Sequence, residues 1–132
     1  MKEITREWLK ASADDLAAAR HLLSVPELTN LVAFHAQQCL EKALKAILEE
    51  KNVSILKSHD LIRINNLAKE YILLPDLYTL KFLNELYVDS RYPGDLGLLP
   101  NGKPSFKEAN LLVEYAELVF RMIFNYLESN SI

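Results

Sequence analysis

Leu31-Val32-Ala33-Phe34-His35-Ala36-Gln37-Gln38-Cys39-Leu40-Glu41-Lys42-Ala43-Leu44-Lys45-Ala46-Ile47-Leu48 is the stretch whose reading decides the fold. Its apolar side chains Leu31, Phe34, Leu40, Ala43, Leu44, Ile47 and Leu48 recur at helical steps among good helix formers, with no glycine or proline between Glu27 and Lys51. The spacing predicts one long helix from about Glu27 to Lys51. A polar row interrupts its apolar surface: His35, Gln38 and Lys42 stand three and four residues apart, so they line one face, with Gln37 and Glu41 beside them.

Outward from this element, the same periodicity predicts a helix from about Thr5 to Leu23, carrying Trp8, Leu9, Leu16, Ala19, Leu22 and Leu23, and a break at Ser24-Val25-Pro26. Beyond a connector at residues 52–56, Ser58 is placed to cap a third helix that runs to about Ala68, with Asp60 in its first turn. Pro75 opens a fourth, striped with Leu77, Leu80, Leu83, Leu86 and Tyr87 as far as Val88. Arg91 to Pro104 holds three prolines and all three glycines and reads as a long loop, the kind that often carries function. Ser105 caps a last helix from about Phe106 to Leu127. Strand-like alternation is absent from the sequence. The expected fold is all-α, an antiparallel helical bundle in a single domain over residues 1–132. The wide apolar faces of the second and last helices point to a homodimer.

Composition bounds the function. Half of the 132 residues are hydrophobic, and 15 basic side chains face 18 acidic ones for a net charge of −3, spread without a basic block. That argues against non-specific coating of DNA, although Lys42, Lys45, Arg63 and Arg91 are free to converge in space. The single Cys39 lies in an apolar helical pattern, which suits a small buried side chain in the reducing cytoplasm. No uncharged run approaches a membrane span, and the first residues do not read as a signal peptide. Glycine-rich phosphate loops, Cys-x-x-Cys pairs, His-Glu-x-x-His and Gly-x-Ser-x-Gly motifs are missing from the sequence. His21, His35 and His59 stand isolated, so no metal and no cofactor are expected.

Three groups are candidates for chemistry. His35, Gln38 and Lys42 form either a hydrogen-bonding face suited to phosphate or a solvated face with ordinary pairs such as Glu41 with Lys45. His59 and Asp60 stand where helix N-terminal N–H groups receive an anion, or where Ser58 and Asp60 simply account for the helix start by capping. In Tyr87-Val88-Asp89-Ser90-Arg91-Tyr92-Pro93, Arg91 offers a planar fork for phosphate and Tyr92 a ring for stacking, or else the arginine ties the loop to a helix carboxylate.

Taken in order, Trp8 with Ala13-Asp14-Asp15-Leu16, Ala33-Phe34-His35-Ala36-Gln37-Gln38 leading into Glu41-Lys42-Ala43-Leu44-Lys45-Ala46, Lys57-Ser58-His59-Asp60-Leu61, and Ser90-Arg91-Tyr92-Pro93 resemble the HEPN domain (higher eukaryotes and prokaryotes nucleotide-binding), in its short stand-alone prokaryotic form. The resemblance implies an up-and-down bundle of four to five helices, frequently a homodimer, often encoded beside a minimal nucleotidyltransferase as half of a toxin-antitoxin pair. Many such domains are metal-independent ribonucleases whose motif is an arginine followed by four to six residues and a histidine. This chain departs from that motif: the required positions hold Asp14, Asp15 and Leu16 before His21, Leu28, Thr29 and Asn30 before His35, and Asn52, Val53 and Ser54 before His59. The expectation is therefore a nucleotide- or nucleic-acid-binding module partnered by a minimal nucleotidyltransferase, with His35, Gln38, Lys42, His59, Asp60, Arg91 and Tyr92 at its site. A diverged metal-independent ribonuclease toxin is the alternative, with catalytic residues unassigned.

Overall fold

The computed structural model describes residues 1–54, 57–91 and 103–130, except for the side chains at 88–91. Among the described residues five α-helices follow one another, α1 Glu3–Leu22, α2 Thr29–Glu50, α3 Leu61–Ala68, α4 Leu77–Arg91 and α5 Phe106–Ser129, with a 3-10 turn at Pro26–Leu28 before α2. No strand occurs among the described residues, so the chain is all-α as its periodicity predicts.

α2 is the axis of the bundle: it is buried on most of its sides, and every other helix packs on it. Ala33, Ala36, Ala43 and Ala46 are small enough for neighbouring backbones to come close, while Leu40, Leu44, Ile47 and Leu48 fill the spaces between helices. Leu9, Leu16 and Ala19 of α1, Leu61 and Ile64 of α3, Leu80 and Leu83 of α4, and Leu112, Val119 and Ile123 of α5 complete one continuous core.

Cap chemistry sets the ends. α2 closes on Asn52, whose φ of 57° is left-handed, and the Val53 N–H reaches Leu48 O at 2.9 Å while the Asn52 N–H reaches Glu49 O at 3.2 Å. This is the Schellman pattern, and asparagine tolerates the left-handed position. Glu50 then ties α1 to α2, accepting the Lys2 N–H at 2.9 Å and the Thr5 hydroxyl at 2.8 Å. Chiefly through the Lys2 hydrogen bond, its carboxyl is held below the usual carboxylate range. Ser105 and Glu108 form a reciprocal capping box at the start of α5.

Three helices start later in the chain than predicted, and α4 runs on to Arg91, past the predicted Val88. Glu27 and Leu28 belong to the 3-10 turn that Pro26 initiates, so α2 begins at Thr29. α3 is capped by Asp60, not Ser58: the Asp60 carboxylate accepts from the Ile62 and Arg63 N–H groups, while Ser58 Oγ accepts the Asp60 N–H. α4 begins after Pro75, because Asp76 turns the chain with φ 51° and its carboxylate takes the Thr79 N–H at 3.1 Å. The loop expected from Arg91 to Pro104 falls largely outside the described residues.

Cys39 is buried as its setting predicts. The Ser12 hydroxyl donates to Cys39 O at 2.7 Å, and burial, the dominant influence, pushes the thiol up to about 11.

Candidate functional site

The polar row of α2 becomes a site because α1 and the segment before α3 supply its partners. α1 lies alongside α2 in a register that sets Asp15 between His35 and Lys42. One carboxylate oxygen of Asp15 is 2.9 Å from His35 Nδ1, and the other accepts from Lys42 Nζ at 2.7 Å. The Asp15 side chain is only 11% exposed.

One turn along, Glu41 repeats the arrangement more deeply. Its side chain is 4% exposed, and it accepts from Lys45 Nζ at 2.9 Å while lying 3.0 Å from His59 Nδ1. The Gln37 amide also donates to Glu41, at 3.2 Å, and to the His59 carbonyl at 3.0 Å, and the Gln38 amide donates to Gln37 Oε1 at 2.7 Å. A carboxylate placed this deep costs several kcal/mol of desolvation unless donors surround it, and here an ammonium, an imidazole and amides do so. Lys45 continues to the Trp8 ring, its ammonium 5.6 Å from the centroid.

The two carboxylates fix the two imidazoles. An ionised carboxylate only accepts, so each ring carries its proton on Nδ1, and neither Nε2 has a partner among the described residues. When neutral, each Nε2 is an acceptor and a base; when the ring is protonated, it is a donor and a positive charge. His59 is 49% exposed and His35 29%. Between them the rings follow one another, His35 to Phe34 at 5.2 Å, Phe34 stacked on Tyr87 at 5.6 Å, and Tyr87 to His59 at 5.7 Å, so both imidazoles flank one aromatic pair. Lys42, partly exposed beside His35, keeps a positive charge on the same face.

Of the predicted residues, His35, Gln38, Lys42 and His59 come together around Asp15 and Glu41. Asp60 sits next to them as the α3 cap and takes the Asn84 amide at 3.1 Å, while Asn84 Oδ1 accepts the Leu61 N–H at 2.9 Å, tying α3 to α4. Arg91 is the last residue of α4, one turn beyond Tyr87. Its side chain lies outside the described residues, as does all of Tyr92. The pair Glu41–Lys45 exists, but it is buried and not solvated. Asp15 was absent from the predicted set. The signal was its place in the stripe Ser12, Asp15, Leu16, Ala19, where a charge interrupts a buried face. Among the described residues, no three His, Cys, Asp or Glu side chains gather as metal ligands would. His21 stands apart in the last turn of α1.

Known structures share this arrangement of helices. TT1696 from Thermus thermophilus superposes with a TM-score of 0.79 at 22% identity, over 95% of this chain and 99% of its own, a likeness of fold. ST0689, an archaeal HEPN homologue, gives 0.70 at 25% identity over 95% and 98% of the two chains. An HEPN domain protein of Thermotoga maritima, TM0613, gives 0.69 at 25% identity over 92% and 98%. No curated protein matches the chain at a significant level. The sequence itself matches the HEPN domain over residues 5–127, from the first turn of α1 to the last of α5, and the chain belongs to that family.

Proposed function

We propose that this chain is a nucleotide- or RNA-binding HEPN module whose ligand lies across the face formed by His35, Lys42 and His59, beside the Phe34–Tyr87 pair. One observation carries the reading: two imidazoles, each held at Nδ1 by a mostly buried carboxylate, present unpartnered Nε2 atoms among the described residues on one surface. Such a surface donates to phosphate oxygens when the rings are protonated and accepts from base N–H groups when they are neutral, in both cases from prearranged positions with little ordering left to do on binding. Arg91 and Tyr92 extend this face in the proposal, the arginine meeting phosphate and the tyrosine stacking. Gln38 and Asp60 serve it indirectly, Gln38 by bracing Gln37 and Asp60 by fixing the turn after His59.

The module acts in the cytoplasm with a minimal nucleotidyltransferase and as a homodimer; no helix among the described residues is long and apolar enough to cross a membrane. The exposed Leu77 and Tyr78 of α4 and Leu111 and Leu118 of α5 support a second copy of the chain on that side. Calorimetry with a nucleotide panel and short RNA tests the ligand. Binding by the wild type that weakens in Lys42→Ala, His59→Ala and Arg91→Ala supports the reading, and heat-silent titrations with every ligand end it.

The same carboxylate-backed imidazoles favour a second reading, metal-independent RNA cleavage, because a ring fixed through Nδ1 leaves Nε2 for proton transfer. RNA incubated with pure protein in chelator decides it. Cleavage lost in His35→Ala or His59→Ala supports a ribonuclease, and intact RNA with wild type removes it.

A further inference from the structure

α1 and α5 both pack on α2 but touch one another sparingly, and a furrow remains between them. A largely apolar cavity of about 280 Å³ adjoins one of about 380 Å³, the two sharing Ala13, Phe120 and Phe124. Leu9 and Leu16 continue the floor, Ala13 keeps its middle shallow, and Phe120 and Phe124 stack at 6.1 Å with Phe124 still 39% exposed.

The rim is cationic although the chain is acidic overall. Arg6, Lys10, Arg20 and Arg121 border the furrow against two carboxylates, Glu117 and Glu128. Glu117 is already neutralised, accepting from Arg20 at 2.7 Å and Arg121 at 2.9 Å. Arg6 has no side-chain partner among the described residues, and Lys10 has only Glu7 at 3.7 Å on open surface. The end nearest Met1 therefore offers Arg6 and Lys10 against Glu128, with Glu7 beside Lys10 on the open side.

We propose that this furrow docks an acidic amphipathic helix of a partner protein. From Arg6 to Arg20 the α1 flank spans about 20 Å at the helical rise, which matches about four turns of a docked helix. Apolar anchors at i, i+3, i+4 and i+7 of that helix seat against Leu9, Leu16, Phe120 and Phe124, and glutamates on its flank meet Arg6 and Lys10. The docked helix completes the bundle by covering the side of α1 and α5 that α2 leaves open. The face is separate from His35 and His59, so the docking stands or falls apart from ligand binding there.

Two fluorescein-labelled peptides of about 14 residues, sharing one Leu/Phe face and carrying either glutamate or lysine flanks, are titrated with the full chain and read by anisotropy. The acidic peptide is expected to bind saturably and more tightly than the basic one. Arg6→Glu with Lys10→Glu is expected to weaken it by about tenfold or more and to reverse the preference. Phe124→Ala is expected to weaken both peptides. Equal or absent binding of the two peptides overturns the proposal, as does an unchanged preference in the charge-reversed variant. It is also overturned if light scattering finds a dimer that Phe124→Ala dissociates, which assigns the furrow to a second copy, or if single-stranded RNA binds and is lost on charge reversal.

Discussion

Glu41→Ala is the most informative perturbation of the buried network. Glu41 is 4% exposed and Lys45 is 9% exposed, so their pair lies in the buried regime, where removing one partner strands the other charge away from water. That loss is about 3–5 kcal/mol, against at most about 1 kcal/mol for a surface pair. The Gln37 amide keeps its bond to the His59 carbonyl, so the ammonium of Lys45 dominates the loss. For a chain of this length the melting temperature falls by roughly 10–20 °C. Glu41→Leu combined with Lys45→Met removes both charges at similar volume and recovers most of the stability. Urea unfolding followed by far-UV circular dichroism measures both variants. A single-variant loss under about 1 kcal/mol, or a double variant no more stable than the single one, contradicts the buried, mutually dependent pair.

The remaining predictions concern the frame. Cys39, with its thiol pushed up to about 11 inside the core, should react with a disulfide reagent at pH 8 only as fast as the protein opens; fast reaction of the native chain contradicts that burial. Glu50 and Glu117 are held below the ordinary 4.5, Glu50 first by the Lys2 N–H and Glu117 first by the Arg20 hydrogen bond. Their stabilisation is complete above that value and is lost as pH falls through the depressed folded values, so urea midpoints should drop below about pH 4.5, and Glu50→Gln should flatten part of the drop. A midpoint as steep in the variant as in the wild type removes Glu50 from that effect. Ser105→Ala breaks the capping box at the start of α5 and should cost about 1 kcal/mol in the same unfolding assay, whereas Ser58→Ala should cost less because Asp60 holds the α3 cap.

The helices were legible because each carries its own periodicity, and Ser105 was legible because a cap acts on residues beside it in sequence. The α3 cap was misplaced within a single turn: Ser58 and Asp60 are both good caps, and only the bend of the chain before Leu61 decides between them. The polar row His35, Gln38, Lys42 was visible for the same local reason. What makes it a site was not, because Asp15 reaches His35 from another helix and His59 reaches Glu41 across a connector, and those meetings depend on the register in which α1 and α3 pack on α2. A charge inside a buried stripe, as at Asp15, is the trace such pairing leaves in a sequence.

The central claim is that the face bearing His35 and His59 binds a nucleotide or RNA through Nε2. Imidazole nitrogen NMR of the intact chain, titrated with a short single-stranded RNA and with single nucleotides, reads that atom directly. The account predicts Nδ1-protonated rings in the free protein and saturable shifts at Nε2 of both His35 and His59, with His21 unmoved. Unchanged His35 and His59 signals at saturating ligand, or free rings protonated on Nε2, would contradict it.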